Sequence, residues 1–238
     1  MPQCDTHWPH ETLAPARHTA KIGAMARKAT PTTDSPFFPA AGPAMIGTTE
    51  EGPGETSLTG QVLIAMPSLD DPRFAHSVIY MCAHTADGAM GIVINRPLAQ
   101  PSFEDLLKQL EVAPAPPART IRLCSGGPVD NARGFVLHSA DWTGEGSLRV
   151  NQDMALTASL DVLKAIAEGG GPIHGLLALG YAGWGPGQLD SEIQQNSWLS
   201  APADTALLFD GPADTAWRRA LAKLRIDPMA LSGAAGHA

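Results

Sequence analysis

The spacing of apolar residues divides the chain into two parts near residue 58. Up to residue 57, Ala, Pro, Thr and Gly predominate, and the apolar positions follow neither the period of a strand nor that of a helix. Such a segment buries too little apolar surface to offset the entropy lost on ordering. We therefore predict a disordered leader over 1–57 and a single folded domain over 58–238. Met25 and Met45 lie within the leader, which leaves a later translation start open.

Short apolar runs of strand length open the predicted domain. Gln61–Met66 is the first run, Ser77–Ala83 the second and Gly91–Asn95 the third. Asp87-Gly88 precedes the third run and has the composition of a tight turn between antiparallel strands. We predict that the second and third runs pair as a hairpin.

Predicted helices and strands alternate over the rest of the domain. Helices are indicated by apolar positions three or four residues apart, by polar caps and by Gly or Pro stops. They run from Ser102 to the prolines that begin at position 114, over 154–168, from Pro186 to about Asn196, and from a cap at Asp214 onward. Strands are indicated by short apolar runs between turn residues, at Ile121–Cys124, Gly134–His138, Ser147–Val150, Ile173–Tyr181 and Asp204–Phe209. We expect the first three of these strands to form a meander.

The charge balance makes nucleic acid an unfavourable partner. The whole chain has 16 Lys and Arg against 24 Asp and Glu, a formal charge of −8. Four of the basic and six of the acidic residues lie before Leu58, which leaves the predicted domain at −6. An acidic body repels a phosphate backbone. The exception is a basic cluster in the last predicted helix, formed by Arg218, Arg219, Lys223 and Arg225.

Neither a membrane span nor an export signal is indicated. No run of about 18 apolar residues occurs, and the N-terminus lacks the apolar core of a secretory signal. The three cysteines, Cys4, Cys82 and Cys124, show no spacing typical of zinc ligands or of a disulfide framework. We therefore predict a cytoplasmic protein without a metal ion or another cofactor.

Asn95 and Arg96 stand at the end of a predicted buried strand, just before Pro97. A planar guanidinium in such a position can pair with the carboxylate or phosphate of a ligand. The alternative is a structural role, in which Arg96 pairs with an acidic neighbour or caps loop carbonyls.

A glycine pair, Gly126-Gly127, follows another predicted strand. Paired glycines can let consecutive backbone amides converge on an anion, and Arg133 is near enough in sequence to add positive charge. No Gly-Lys-Ser/Thr and no GxGxxG spacing accompanies the pair, so it is neither a P-loop nor a dinucleotide fingerprint. The alternative is an ordinary turn.

Cysteines and histidines in the same region allow a thiol-dependent mechanism. A neighbouring histidine lowers the pKa of a cysteine thiol and makes it a nucleophile. Cys124 with His138 is the better placed pair, since Cys82, near His84 in sequence, lies within an apolar strand. The alternative is an inert buried thiol. Ser125 lacks the GxSxG elbow of a hydrolase serine.

The glycine-rich segment Gly180–Leu189 surrounds two aromatic residues, Tyr181 and Trp184. This composition suits a flat pocket lined by Trp184. The alternative is close packing at a joint where a strand runs directly into a helix, which requires small residues. Glu192 lies on the helix predicted to follow.

Three long motifs occur in a fixed order along the chain. They are Leu58–Pro67 with Gly88–Pro97, Gly126–Val129 with Arg133–His138, and Leu179–Leu189 continuing to Trp198. On these motifs residues 58 to 226 resemble the YqgE/AlgH family of bacterial proteins. The resemblance implies one α/β (α+β) domain, in which a bent, mostly antiparallel sheet forms a partial barrel flanked by helices. It implies no catalytic residues.

The function expected from these observations is that of a binding or regulatory module rather than an enzyme. It would engage a protein or a small anionic ligand through a surface formed by Asn95, Arg96, Gly126, Gly127, Arg133 and Trp184. The alternative is a thiol-dependent or hydrolytic enzyme that uses Cys124 and His138. A third hypothesis is direct DNA binding, which the family's frequent label of transcriptional regulator suggests and the charge of the domain opposes.

Overall fold

The computed structural model describes residues 57–113 and 119–231, so nearly all of the predicted leader lies outside the described residues. These residues form nine strands: β1 (Gln61–Ala65), β2 (Val78–Thr85), β3 (Gly88–Val93), β4 (Arg122–Ser125), β5 (Val129–Ser139), β6 (Ser147–Arg149), β7 (Met154–Thr157), β8 (Gly175–Trp184) and β9 (Trp198–Pro202). They also form five α-helices: α1 (Phe103–Gln109), α2 (Asp161–Ala167), α3 (Gln188–Gln194), α4 (Thr205–Phe209) and α5 (Ala216–Lys223).

The strands form one curled sheet, which confirms the predicted half-barrel of the α+β class. Eight strands follow the order β6-β7-β5-β8-β3-β2-β1-β9 with antiparallel pairing between neighbours, and β4 joins them by pairing with β8. The predicted hairpin is confirmed as β2 and β3. The predicted meander is wrong, because β4 pairs in parallel with β8 instead of with β5, and β7 rather than β6 lies beside β5.

Alternate residues of each strand face opposite sides of the sheet, and both sides are covered. The inner face forms one core that joins both ends of the sheet and is closed by α4 and α5; it includes Val62, Tyr80, Phe135, Leu156, Leu208 and Trp217. The outer face carries two separate cores. Helix α3 covers β1 to β3 through Leu189, while α1 and α2 cover β4, β5 and β8 through Leu107 and Ile166.

The turn between β6 and β7 reaches across the curl to the other half of the sheet. The side-chain amide of Asn151 donates to the hydroxyl of Tyr80 on β2, 3.3 Å away. The side-chain oxygen of Asn151, Oδ1, accepts from the backbone amides of Asp153 and Met154, and these two bonds hold the turn itself. One asparagine therefore ties the two halves of the half-barrel together.

The helix predicted over 154–168 is wrong in its first part. Met154–Thr157 is strand β7, buried between β5 and β6, and the helix begins at Asp161. Two neighbouring strands supply ladder hydrogen bonds to β7, so tertiary pairing overrides the helical spacing of Leu156 with Leu160 and Leu163.

Two predictions near the C-terminal end are also wrong. The predicted strand Asp204–Phe209 is helix α4, since the Asp204 carboxylate caps it by accepting from the amide of Leu207 at 2.7 Å. The last strand is β9 instead. Asp214 lies within a 3₁₀ turn and makes no side-chain cap.

The helices of the described chain are short. The longest, α5, has eight residues, and none of the helices in 57–113 and 119–231 is long and apolar enough to cross a membrane.

Candidate functional site

The three sequence motifs meet in the folded chain, and they meet through their main chains. The Gly126 carbonyl accepts from the amide of Val93 at 2.9 Å, and the Gly126 amide donates to the carbonyl of Leu179 at 2.8 Å. The Ser125 amide donates to the carbonyl of Arg96 at 2.8 Å. Strand β4 and the glycines after it thus fill the space where β3 and β8 diverge.

The glycine pair is packed against β8 without room for a side chain. A Cβ atom on Gly126 would lie 2.2 Å from the carbonyl oxygen of Gly180, and one on Gly127 would lie 2.1 Å from the carbonyl carbon of Tyr181. The Gly126 amide already has its acceptor. This geometry favours close packing of main chains over anion binding.

Trp184 lies in the interior, where it is 5% exposed. Its indole nitrogen donates to Oε2 of Glu192 at 2.9 Å, and the indole nitrogen of Trp198 donates to the same oxygen at 2.8 Å. Gln188 donates to the other carboxylate oxygen, 2.8 Å away. The carboxylate therefore joins helix α3 to strands β8 and β9, which is a structural role.

Arg133 lies on β5, on a different part of the sheet. Its guanidinium carbon is 5.1 Å from the centre of the Phe135 ring, at cation–π distance. The Phe135 ring contacts Tyr181 edge to face, with 5.8 Å between the ring centres. Arg133 thus covers an aromatic pair at the start of the inner core.

Asn95 and Arg96 organise the segment before β2 from the end of β3. The Asn95 side chain accepts from the Val78 amide at 2.8 Å and donates to the carbonyl of His76 at 2.9 Å. The Arg96 guanidinium donates from Nε to the Ser77 hydroxyl at 3.2 Å and from Nη2 to the carbonyl of Ala75 at 3.0 Å. These bonds hold the guanidinium in one orientation.

Beside Arg96 opens a pocket of about 430 Å³. It lies between the end of β3, the segment before β2 and the start of α5, and it is lined by Ala75, His76, Asn95, Arg96, Asp214, Trp217 and Arg218. Two of the six predicted site residues, Asn95 and Arg96, are in this lining. Gly126, Gly127, Arg133 and Trp184 are not.

An aromatic pair forms part of the pocket wall. The rings of His76 and Trp217 meet edge to face, with 4.5 Å between their centres. Trp217 is fixed because its indole nitrogen donates to the carbonyl of Ala65 at 2.8 Å. His76 has a positive φ of 55°, a conformation that is uncommon outside glycine and tolerated better by histidine than by branched residues.

Charges of both signs line the pocket without pairing to one another. Within the part of the chain that the structure describes, no ion pair at 4.0 Å or less involves Arg96, Asp214 or Arg218. The same described residues offer no hydrogen-bond partner to the guanidinium of Arg218 or to Nη1 of Arg96. The unused donors and the carboxylate are thus available to a ligand.

Two other members of the basic cluster predicted in the last helix, Arg219 and Lys223, are engaged elsewhere. Arg219 donates to the carbonyls of Ala206 and Asp210 at the end of α4, and Lys223 forms an ion pair with Asp204. Of these two cations neither is free to contact a phosphate backbone.

Cys124 and His138 do not form a catalytic pair. The Cys124 thiol is fully buried and donates to the carbonyl of Ile94 at 3.4 Å. Burial raises its pKa, and the charge of Arg122 offsets part of that effect. The imidazole of His138 is bonded to Ser139 and Thr157 instead. Burial likewise raises the pKa of Cys82, to about 12, so both thiols are protonated at neutral pH.

His138 belongs to a buried chain of hydrogen bonds. Its Nδ1 lies 2.9 Å from the carbonyl of Ser139, which only accepts, so Nε2 accepts from the Thr157 hydroxyl at 2.8 Å. The Thr157 oxygen in turn lies 2.7 Å from the hydroxyl of Ser147. This chain uses the neutral imidazole, and burial lowers the pKa of His138 below its ordinary value.

We expect folding stability to decrease with acidity because of His138. Below its ordinary pKa of 6.5 the unfolded chain binds a proton that the folded chain does not yet bind. The contribution is complete above pH 6.5 and is lost as pH falls toward the lower folded pKa. In His138→Gln the slope of unfolding free energy against pH should become flatter, by at most about 1.4 kcal/mol per pH unit. Urea unfolding between pH 7.5 and 4.5 measures the slope, and equal slopes in both proteins would contradict the assignment.

No group of three or more His, Cys, Asp or Glu residues within 57–113 and 119–231 is arranged to hold a metal ion. The lining of the pocket beside Arg96 offers guanidinium, carboxylate, amide and aromatic groups.

Comparison with known proteins places the chain among relatives over most of its length. The model of the AlgH-like family matches residues 62–229. A UPF0301 protein of Rhodospirillum rubrum is 54% identical over 184 residues, which cover 77% of this chain and 96% of that protein. A UPF0301 protein of Gluconobacter oxydans is 51% identical over 186 residues and is covered completely, with 77% of this chain.

Solved structures agree with this assignment. The solution structure of the AlgH protein from Pseudomonas aeruginosa is similar at a TM-score of 0.63 and 44% identity, covering 79% of this chain and all of that one. The crystal structure of a protein from Corynebacterium diphtheriae, at a TM-score of 0.57 and 23% identity, shares the fold over 75% of this chain and 91% of that one. From the motifs, the family model and these relatives together, the chain belongs to the AlgH-like family.

Proposed function

We propose that this protein is a non-catalytic binding or regulatory module, and that the pocket beside Arg96 captures an anionic group of a small ligand or of a protein. The observation that carries the proposal is the convergence of Arg96 and Arg218, from distant parts of the chain, on one open pocket. Guanidinium groups are the side chains best suited to bind carboxylates and phosphates.

The state of Arg96 supports a binding role. Its Nε and Nη2 are anchored to Ser77 and Ala75, which leaves Nη1 to a ligand without further loss of side-chain entropy. The structural alternative for Arg96 is compatible with this role, since its bonds to the Ser77 hydroxyl and the Ala75 carbonyl also orient the charge.

The state of the cysteines supports a reducing, cytoplasmic location. Cys82 and Cys124 are both free thiols within the described chain, and both are buried. A regulatory role in transcription, as the family's frequent label has it, would then act through a bound ligand or protein. Direct contact with DNA is disfavoured by the charge of −6 from Leu58 onward.

Calorimetric titration with valerate and with inorganic phosphate, at low ionic strength, tests the proposal. We expect at least one of the two anions to bind to the wild-type protein. Arg96→Gln should lower its affinity at least about tenfold, because a charged hydrogen bond is lost. Arg149→Gln is the matched control, since the Arg149 guanidinium also donates two hydrogen bonds, in its case to the carbonyls of Asn151 and Gln152, but lies on β6 outside the pocket.

The control should bind the anion within about twofold of the wild type. Equal affinity in the wild type and in Arg96→Gln would contradict the proposal. Absence of any anion binding to the wild-type protein would contradict it as well.

A further inference from the structure

We propose that the pocket is selective for a small zwitterion, a ligand that carries a carboxylate and an ammonium group a few bonds apart. This inference rests on the proposed function and names the chemistry of its ligand. It follows from the signs and the separation of the charges in the lining, Arg96, Arg218 and Asp214.

The charged side chains that line the pocket are separated from one another. Asp214 and Arg218 are four residues apart, and both line the pocket with Arg96, yet none of them is within 4.0 Å of an opposite charge in the described chain. Opposite charges that share a pocket without touching leave a space between them. A dipolar ligand of the right length fills that space and pairs with both.

Asp214 adds a carboxylate to a pocket that two arginines line. A pocket built for phosphate alone gains from cations only, and a carboxylate in its wall repels each negative charge of the ligand. Two arginines with one aspartate instead favour a ligand whose negative group meets Arg96 and Arg218 while its positive group meets Asp214.

The size of the pocket and the aromatic rings in its wall suit a small organic ligand. About 430 Å³ falls within the range of small-molecule sites. The edge-to-face rings of His76 and Trp217 add an aromatic surface to the same lining as the charged groups. A short aliphatic chain that links a carboxylate to an ammonium group would pack against these rings.

Three probes of equal chain length separate the contributions: δ-aminovalerate has both charges, valerate has the carboxylate alone, and pentylamine has the ammonium alone. We expect δ-aminovalerate to bind the full-length protein at least about threefold more tightly than valerate in calorimetry at low salt. Pentylamine should bind most weakly, because two guanidinium groups repel it.

Asp214→Asn gives the sharper test, because it should change two affinities in opposite directions. The variant should bind δ-aminovalerate about fivefold more weakly, since the ammonium loses its partner, and valerate about twofold more tightly, since a repulsion is removed. Asp214 is exposed and makes no cap, so the variant should retain its fold. Asp161→Asn, an exposed aspartate on α2, is the matched control and should leave both affinities unchanged.

The outcomes distinguish this inference from the function on which it rests. If valerate binds through Arg96 but δ-aminovalerate binds no more tightly, the selectivity for a zwitterion is overturned and the anion site stands. A change of both affinities in the same direction in Asp214→Asn also overturns it. If none of the three probes and no phosphate binds, both proposals fail.

Discussion

Replacing Gly126 by alanine should destabilise the domain by about 3 kcal/mol or more. The added methyl group would lie 2.2 Å from the carbonyl oxygen of Gly180 and 2.8 Å from the Cβ of Ala178. The backbone cannot yield easily, because Gly126 is hydrogen-bonded to Val93 on one side and to Leu179 on the other. A loss of this size is a large share of the stability of an ordinary domain.

Gly175→Ala is the control for Gly126→Ala. Gly175 lies on β8, the strand against which Gly126 packs, but its Cβ would be 3.8 Å from the nearest atom, an ordinary contact distance. Urea unfolding should show a lower midpoint at an unchanged slope for Gly126→Ala, and a change below about 1 kcal/mol for Gly175→Ala. Equal stability of the two variants would show that the three motifs do not depend on close packing at this joint.

Replacing Glu192 by alanine should lower the free energy of unfolding by about 3 kcal/mol. The substitution removes the acceptor of two buried indole N–H groups, those of Trp184 and Trp198, which are 5% and 3% exposed. A buried donor without an acceptor loses its hydration without compensation. Helix propensity is not the cause of the loss, because alanine is the better helix former.

Glu192→Gln separates the hydrogen bonds from the rest of the side chain. Its amide oxygen can still accept from both indoles, so the cost should fall to about 1 kcal/mol, the part due to charge. The near-ultraviolet circular dichroism of the tryptophans should change in the alanine variant and be retained in the glutamine variant. A glutamine variant as unstable as the alanine variant would contradict this account of the cluster.

The sequence predicted the fold where local signals decide the structure. The hairpin of β2 and β3 forms as predicted, although its turn is at Ala86-Asp87 and Gly88 already belongs to β3. Ser102 caps α1 through the amide of Asp105. Pairing between distant segments was beyond local patterns. The parallel pairing of β4 with β8 and the strand pairing that makes 154–157 part of the sheet depend on tertiary contacts that no periodicity encodes.

Only part of the candidate site could be predicted, because local patterns do not encode the tertiary contacts that complete it. Asn95 and Arg96 directly follow an apolar run, and polar residues at the end of a predicted buried strand are candidates for ligand binding. The other charged and aromatic residues of the lining come from two further segments. His76 lies just before β2, while Asp214, Trp217 and Arg218 lie on or just before α5. Helix α5 reaches the site because it docks on the sheet through the bond from Trp217 to Ala65. The sequence shows α5 as an amphipathic helix with a buried Trp217 but does not show which strands it meets.

The glycine pair and Trp184 illustrate a second limit. Their composition fits both a binding surface and close packing, since small residues and a buried indole serve either purpose. The close backbone contacts of Gly126 and the hydrogen bond from Trp184 to the Glu192 carboxylate favour the packing interpretation.

The indole N–H resonances of the tryptophans test the central claim, that ligands are recognised at the pocket beside Arg96. The indole of Trp217 lies at the pocket, while those of Trp184 and Trp198 are bonded to Glu192. In a ¹H–¹⁵N spectrum, titration with valerate should shift the Trp217 resonance and leave the other two in place, and Arg96→Gln should abolish the shift. Movement of the Trp184 and Trp198 resonances with no change at Trp217 would contradict the claim.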